Sequence, residues 1–178
     1  LLNFLYFWIM QTVNVFSHLK FDNTMKENNW TDETVDSLSN CAFISICCNF
    51  EIKKNYLEEV KHETDEHWFS KPHLNVLNVD FDDVTENVLE TKYGQAIGIT
   101  IEQAQQIVDF IMDRYSKGVE NWYIHCRAGR SRSAACGQFL IGYLKQFTDD
   151  VKDNNFKKDK SNSLVLKKLL EAYNVSCT

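Results

Sequence analysis

One stretch, WYIHCRAGRSRSAACGQFL at residues 122–140, restricts the possible fold more than any other. It starts as a short β-favouring run, WYIH, and continues into apolar residues at helical spacing: Ala135, Phe139, Leu140, Tyr143, Leu144 and Phe147. Only the loop Cys126–Arg132 separates the two patterns, so a buried strand must turn abruptly into a helix spanning roughly 132–147. In such a turn the loop N–H groups converge and the positive end of the helix points at the same spot. The backbone of Arg127, Ala128, Gly129, Arg130, Ser131 and Arg132 therefore reads as an anion cradle. Gly129 permits a backbone conformation that a side chain would obstruct. Arg132 can fork two hydrogen bonds onto two oxygens of one anion. Cys126 is the candidate nucleophile, because helix N-termini and nearby cations favour a thiolate. Ser133 is spaced to donate its hydroxyl to that sulfur, and His125 to orient the loop through a ring N–H. An ordinary turn around a core thiol would not explain why Arg127, Arg130 and Arg132, three of only four arginines, crowd one helix start.

Elsewhere the pattern alternates between strands and helices. MQTVNVF reads as a first strand, CAFISI (41–46) as a strand buried on both faces, and HLNVLNVDF (73–81) as a third. A helix is expected over about 101–117, capped by Thr100 and Gln103, with Ile101, Ala104, Ile107, Val108, Ile111 and Tyr115 on one stripe. SLVLKKLLEAY (163–173) closes the chain as a helix, with Ser163 as its cap. DDVKDNNFKKDK between the last two helices reads as a solvated connection. This alternation implies an α/β fold with a mostly parallel central sheet flanked by helices.

The 178 residues, 44% of them apolar, suit a single domain over residues 10–178. Six glycines and one proline, Pro72, leave no linker to divide it. The net charge of −6 argues against nucleic acid as a partner and for a small local cationic pocket on an acidic protein. Six cysteines without CxxC pairing fit reduced thiols and a cytoplasmic location. The apolar residues 1–9 are too short to span a bilayer, so no transmembrane segment is expected. They read as a first core strand, as an extension upstream of Met10, or as a membrane-surface anchor.

HCRAGRSRS resembles the signature of the cysteine-dependent protein tyrosine phosphatase superfamily, His-Cys-x5-Arg-Ser/Thr, at every defining position. The likeness is greatest to the short dual-specificity branch and to small bacterial and phage tyrosine phosphatase-like proteins. With CAFISI and LNVDFDDV it covers roughly residues 40–148. The resemblance implies metal-independent phosphomonoester hydrolysis through a phosphocysteine, with no cofactor. Cys126 would be nucleophile, Arg132 phosphate clamp, and Ser133 the aid to thiolate departure. Phosphorylated protein would be the substrate, and phosphate or vanadate-like anions would occupy the loop. A loop rich in arginine is also similar to those of phosphoinositide, phosphatidylglycerophosphate and RNA 5′-triphosphate phosphatases. A phosphate-binding pseudophosphatase and a rhodanese-type sulfurtransferase are further alternatives.

Leaving-group departure needs a proton, and the family takes it from an upstream Asp. The candidates are Asp80, Asp82 and Asp83. Similar short phosphatases carry a Phe-Glu-Asp-like run whose second acid acts, which falls on Asp83. Alternation from Leu77, Val79 and Phe81 also places residue 83 on the buried face, where an acid would be desolvated. Asp82 is the alternative. HETDEH (62–67) superficially resembles a zinc motif, but its histidines are five apart and reads as solvated acidic surface. Cys47 and Cys48 read as core or strand-end thiols, and Trp30 and Trp68 as packing residues.

Overall fold

The computed structural model describes residues 9–49, 65–156 and 158–176. The three readings of residues 1–9, as strand, upstream extension or membrane-surface anchor, fall almost wholly outside them. Ile9 and Met10 are exposed coil, and the first strand, β1, runs Gln11–Ser17. It is followed by helix α1 (His18–Glu27), β2 (Cys41–Cys47), β3 (Val76–Asp80) and a small hairpin, β4 (Val88–Thr91) and β5 (Gly94–Ile97). Then come α2 (Ile101–Ser116), β6 (Asn121–Cys126), α3 (Arg132–Leu144), β7 (Val151–Asn154) and α4 (Ser163–Ser176).

The central sheet has the order β3-β2-β6-β1-β7, and each neighbouring pair is parallel. The protein is thus α/β with a five-stranded parallel sheet between helices. β6 enters the sheet between β1 and β2, with Ser17 beside Cys126 and Ser45 beside His125. Side-chain alternation sorts the sheet into two cores. Val13, Val15, Ala42, Ile44, Ile46, Val79, Trp122 and Ile124 face α2, α3 and α4. Phe16, Phe43, Val76 and Tyr123 face α1 and the loops around Trp30 and Phe69. Trp30 packs edge-on against Phe43 and Tyr123, and Trp68 Nε1 donates to the Trp30 carbonyl, so both tryptophans are packing residues.

Several local expectations need correction. The stretch DDVKDNNFKKDK is not merely a connection: Val151–Asn154 forms the edge strand β7, paired with Gln11–Asn14. Its charged residues hid it, and charge is what an exposed sheet edge tolerates. β3 starts at Val76 rather than 73, and α3 ends at Leu144. The cap of α4 is Asn162, whose Oδ1 accepts from Val165 N, and not Ser163. By contrast, Thr100 and Gln103 form the expected capping box on α2. No helix among the described residues is long and apolar enough to cross a membrane.

A polar clasp joins the loops that cover the α1 face. His73 bonds Asp32 at 2.8 Å and Asp36 at 2.9 Å, while Ser70 and Lys71 N–H groups donate to Asp32. Burial pushes the Asp32 carboxyl up, but these hydrogen bonds outweigh it and bring it down to about 2. Burial likewise disfavours a charged His73, and Asp32 and Asp36 overcome it to raise the imidazole above 6.5. The Asp32 contribution is present above the ordinary value of 3.8 and fades as pH falls toward 2. The His73 contribution is complete below 6.5 and fades as pH climbs through its raised value. His73→Gln should therefore lower the urea midpoint most between about pH 4 and 6.5 and progressively less outside that window. A pH-independent difference between the two proteins would remove the clasp from the stability balance.

Candidate active site

The carboxyl ends of β1, β2 and β6 meet at one edge of the sheet, where parallel α/β proteins place their ligands. Cys126 is the last residue of β6 and is 1% exposed. The loop that follows lies against the end of β1: His18 N donates to the Arg127 carbonyl at 3.1 Å. Gly129 adopts φ +67, and a Cβ there would sit 2.4 Å from Ser17 N and 2.5 Å from the Phe16 carbonyl carbon. Both the left-handed backbone and the contact with β1 demand glycine. Gly118 is the natural comparison, with φ +84 but nothing near its missing Cβ. Gly118→Ala should cost only backbone strain, about 1–2 kcal/mol. Gly129→Ala should cost clearly more in urea unfolding, because the β1 backbone cannot withdraw; equal losses would show that the loop tolerates displacement.

Arg132 opens α3 and is buried, 3% exposed. Its Nη1 donates to the carbonyls of Phe81 at 2.7 Å and Cys47 at 3.2 Å, which fixes the guanidinium plane. Its Nε is buried with no hydrogen-bond partner among the described residues. Burial opposes the charge, but the fields of Cys48, Cys126, Asp83 and Asp65 exceed it and hold Arg132 more firmly protonated than usual. The result is a fixed cation with an unused donor. Ser133 Oγ lies 3.1 Å from Cys126 Sγ. Ala128 and Arg130 are exposed at the rim, while Arg127 and Ser131 are half-buried.

His125 is fully buried and its Nε2 meets Ser45 Oγ at 2.7 Å. Ser45 Oγ in turn lies 2.6 Å from His67 Nδ1, and His67 Nε2 lies 3.0 Å from Asp80 Oδ1. Burial first, then the neighbouring His18, His67 and Arg132, hold His125 well below its ordinary value, so it is neutral. The histidine thus reaches the loop's surroundings through Ser45, a partner that no spacing in the sequence reveals.

The acids differ from expectation. Asp83 is exposed, whereas Asp82 is buried at 3%. Alternation fails here because β3 stops at Asp80 and the chain turns, so Phe81 and Asp82 are buried in succession. Asp82 is a structural clasp: Oδ1 accepts from Asn49 N at 2.9 Å and Oδ2 from Ile97 N at 2.8 Å. Asp83 nevertheless stands at the loop, its Oδ1 accepting from Ser131 Oγ at 2.5 Å and from Asn162 Nδ2 at 2.8 Å. Asp80 instead belongs to the His67 pair. Asn162, missed in the sequence, ties three elements together. Its side chain holds Asp83 and the Val84 carbonyl, caps α4, and its N–H donates to the Ser131 carbonyl. One asparagine in the run SNS gives no signal of that role.

The HETDEH stretch is not simply solvated surface. His62, Glu63 and Thr64 lie outside the described residues, but Asp65 is buried and accepts from Cys48 N at 2.7 Å. Cys48 beside it is pushed up to about 11, by burial first and by Asp65, against the opposing field of Arg132. No family model, curated protein or solved structure matches the chain. What the protein does is therefore a question of this site's chemistry.

Proposed function

We propose that the protein hydrolyses phosphomonoesters through a phosphocysteine on Cys126, as a protein tyrosine or dual-specificity phosphatase. The observation that carries this reading is the buried Arg132, anchored through Nη1 while its Nε lacks a partner, in a loop that starts at a buried thiol. A cation fixed in this way calls for an anion, and a sulfur at the same loop makes a tetrahedral phosphoryl group the fitting one. The match of HCRAGRSRS to the tyrosine phosphatase signature supports the same reading.

In the first step Cys126 Sγ attacks phosphorus as a thiolate, and the bond to the leaving oxygen breaks. Asp83 supplies that oxygen's proton from its position beside Ser131. In the second step Asp83 takes a proton from water, which attacks the phosphocysteine and releases phosphate. The sulfur departs as a thiolate, received by the Ser133 hydroxyl. Arg132 and the loop N–H groups carry the growing negative charge, so the chemistry asks for no metal. Exposed Arg130 at the rim favours a second reading, in which the substrate bears additional phosphates, as in a phosphoinositide or a 5′-triphosphorylated RNA.

The test is hydrolysis of a phosphotyrosine peptide, a phosphoserine peptide, an inositol phosphate and triphosphorylated RNA, side by side in chelator. Turnover of the phosphotyrosine peptide, stopped by vanadate, is expected. Turnover of none of the four would overturn the proposal. A strong preference for the polyphosphates that Arg130→Ala abolishes would establish the second reading.

A further inference from the structure

A second cluster lies at the same edge of the sheet, outside the proposed chemistry. His18 follows directly on β1, Cys47 ends β2, and Asp65 lies on the segment between β2 and β3. One ligand atom from each lies within 4.8 Å of the other two. His18 Nδ1 and Asp65 Oδ1 are 3.9 Å apart, too far for a hydrogen bond. Both atoms are buried and have no hydrogen-bond partner among the described residues. Leaving a carboxylate oxygen and an imidazole nitrogen desolvated and facing each other without a hydrogen bond is costly, unless something between them binds both.

The remaining atoms of these side chains are already committed. Asp65 Oδ2 accepts from Cys48 N, and Asp22 Oδ2 stands 3.4 Å from His18 Nε2. A carboxylate behind the far nitrogen of an imidazole is the usual support of a metal-bound histidine. The other grouping, Cys47 with His67 and Asp80, lacks this character: His67 already uses both ring nitrogens, Nδ1 on Ser45 and, at 3.4 Å, on the Cys47 sulfur, and Nε2 on Asp80. Thiolate, imidazole and carboxylate together select a borderline-soft divalent ion over magnesium or calcium. Three protein ligands, with water in the fourth position, suit zinc.

We propose that His18, Cys47 and Asp65 form a zinc site that braces the backbone carrying the phosphate loop. Two of the three hold that loop through their main chains: His18 N donates to the Arg127 carbonyl, and the Cys47 carbonyl accepts from Arg132. The ion fixes these two anchors relative to each other and takes no part in phosphoryl transfer. The inference stands apart from the phosphatase reading, because its readout is metal binding.

Cobalt(II) tests it, as a spectroscopic substitute for zinc. Titrating the metal-free full chain should give the d–d bands of a tetrahedral ion and a thiolate-to-cobalt charge-transfer band, both displaced by zinc. Cys47→Ser should abolish the charge-transfer band, and Asp65→Asn should weaken cobalt binding at least tenfold. Cys126→Ser should leave both spectrum and affinity unchanged, and His67→Gln, which removes a neighbour 3.4 Å from Cys47 Sγ, should leave the charge-transfer band in place. Should Cys47→Ser fail to fold by circular dichroism, His18→Asn at its half-buried position carries the same expectation as Asp65→Asn. Absence of the charge-transfer band in the wild type would mean that a water spans the gap, and would overturn the proposal. Loss of the band in Cys126→Ser would put the ion on the nucleophile, and loss in His67→Gln would put it in the other grouping; either result overturns the site as assigned.

Discussion

Cys126→Ser is expected to abolish hydrolysis of p-nitrophenyl phosphate while leaving the fold and the affinity for phosphate intact. The substitution exchanges one atom at a position 1% exposed, so packing around it hardly changes. The anion contacts survive, because Arg132 is held by the Phe81 and Cys47 carbonyls and not by the sulfur. What disappears is the thiol nucleophile, since a serine hydroxyl here has the Ser133 hydroxyl beside it and no base within hydrogen-bond reach among the described residues. The loss should reach about 10³-fold or more, on the scale of nucleophile removal in other covalent enzymes. Steady-state turnover measures the loss, and phosphate titration by calorimetry measures the retained binding. Residual turnover above a few per cent would take the nucleophile's role from Cys126.

The second large effect concerns Asp83. Asp83→Asn should lower kcat on a phosphotyrosine peptide by about 10²–10⁴, the span of one general acid. On an aryl phosphate with a good leaving group the loss should shrink, because that oxygen leaves without a proton. The asparagine can still accept from Ser131 Oγ and meet Asn162, so the loop stays in place. Asp82→Asn behaves differently from a neutral control. Asp82 accepts from Asn49 N with one oxygen and from Ile97 N with the other, and an amide can replace only one of these acceptors. Its cost should therefore appear in the urea midpoint before it appears in turnover. If Asp82→Asn kept its stability and lost kcat, the acid would be Asp82. If Asp83→Asn lost equally on good and poor leaving groups, Asp83 would be a support of the loop rather than a proton donor.

The sheet and the loop were legible because their signals are local. The continuous β-favouring run CAFISI, the capping pair Thr100 and Gln103, and the change of period across Cys126–Arg132 each lie within a few residues, and each element starts where they place it. The acid's environment was not legible, since a turn after Asp80 ends the alternation and exchanges the burial of Asp82 and Asp83. Edge strand β7 was hidden by its own polarity, and the helical pattern of α1 by a cap, Ser17, embedded in a strand-like run. Contacts such as Asn162 on Ser131, or His18 facing Asp65 and Cys47, join residues that only the parallel topology brings to one edge. No spacing rule reaches that far along a chain.

The run from His125 through Ser45 and His67 to Asp80 has a consequence for where the ring hydrogens sit. Asp80 is 55% exposed, whereas His125 is sealed beside Cys126 and cannot readily take up charge. Ser45 has a single hydroxyl hydrogen, so it donates to one imidazole and accepts the ring hydrogen of the other. A neutral His67 that donates from Nε2 to the Asp80 carboxylate takes the Ser45 hydrogen on Nδ1, which leaves His125 donating from Nε2. The tautomer of a sealed histidine is thereby set by a carboxylate at the surface.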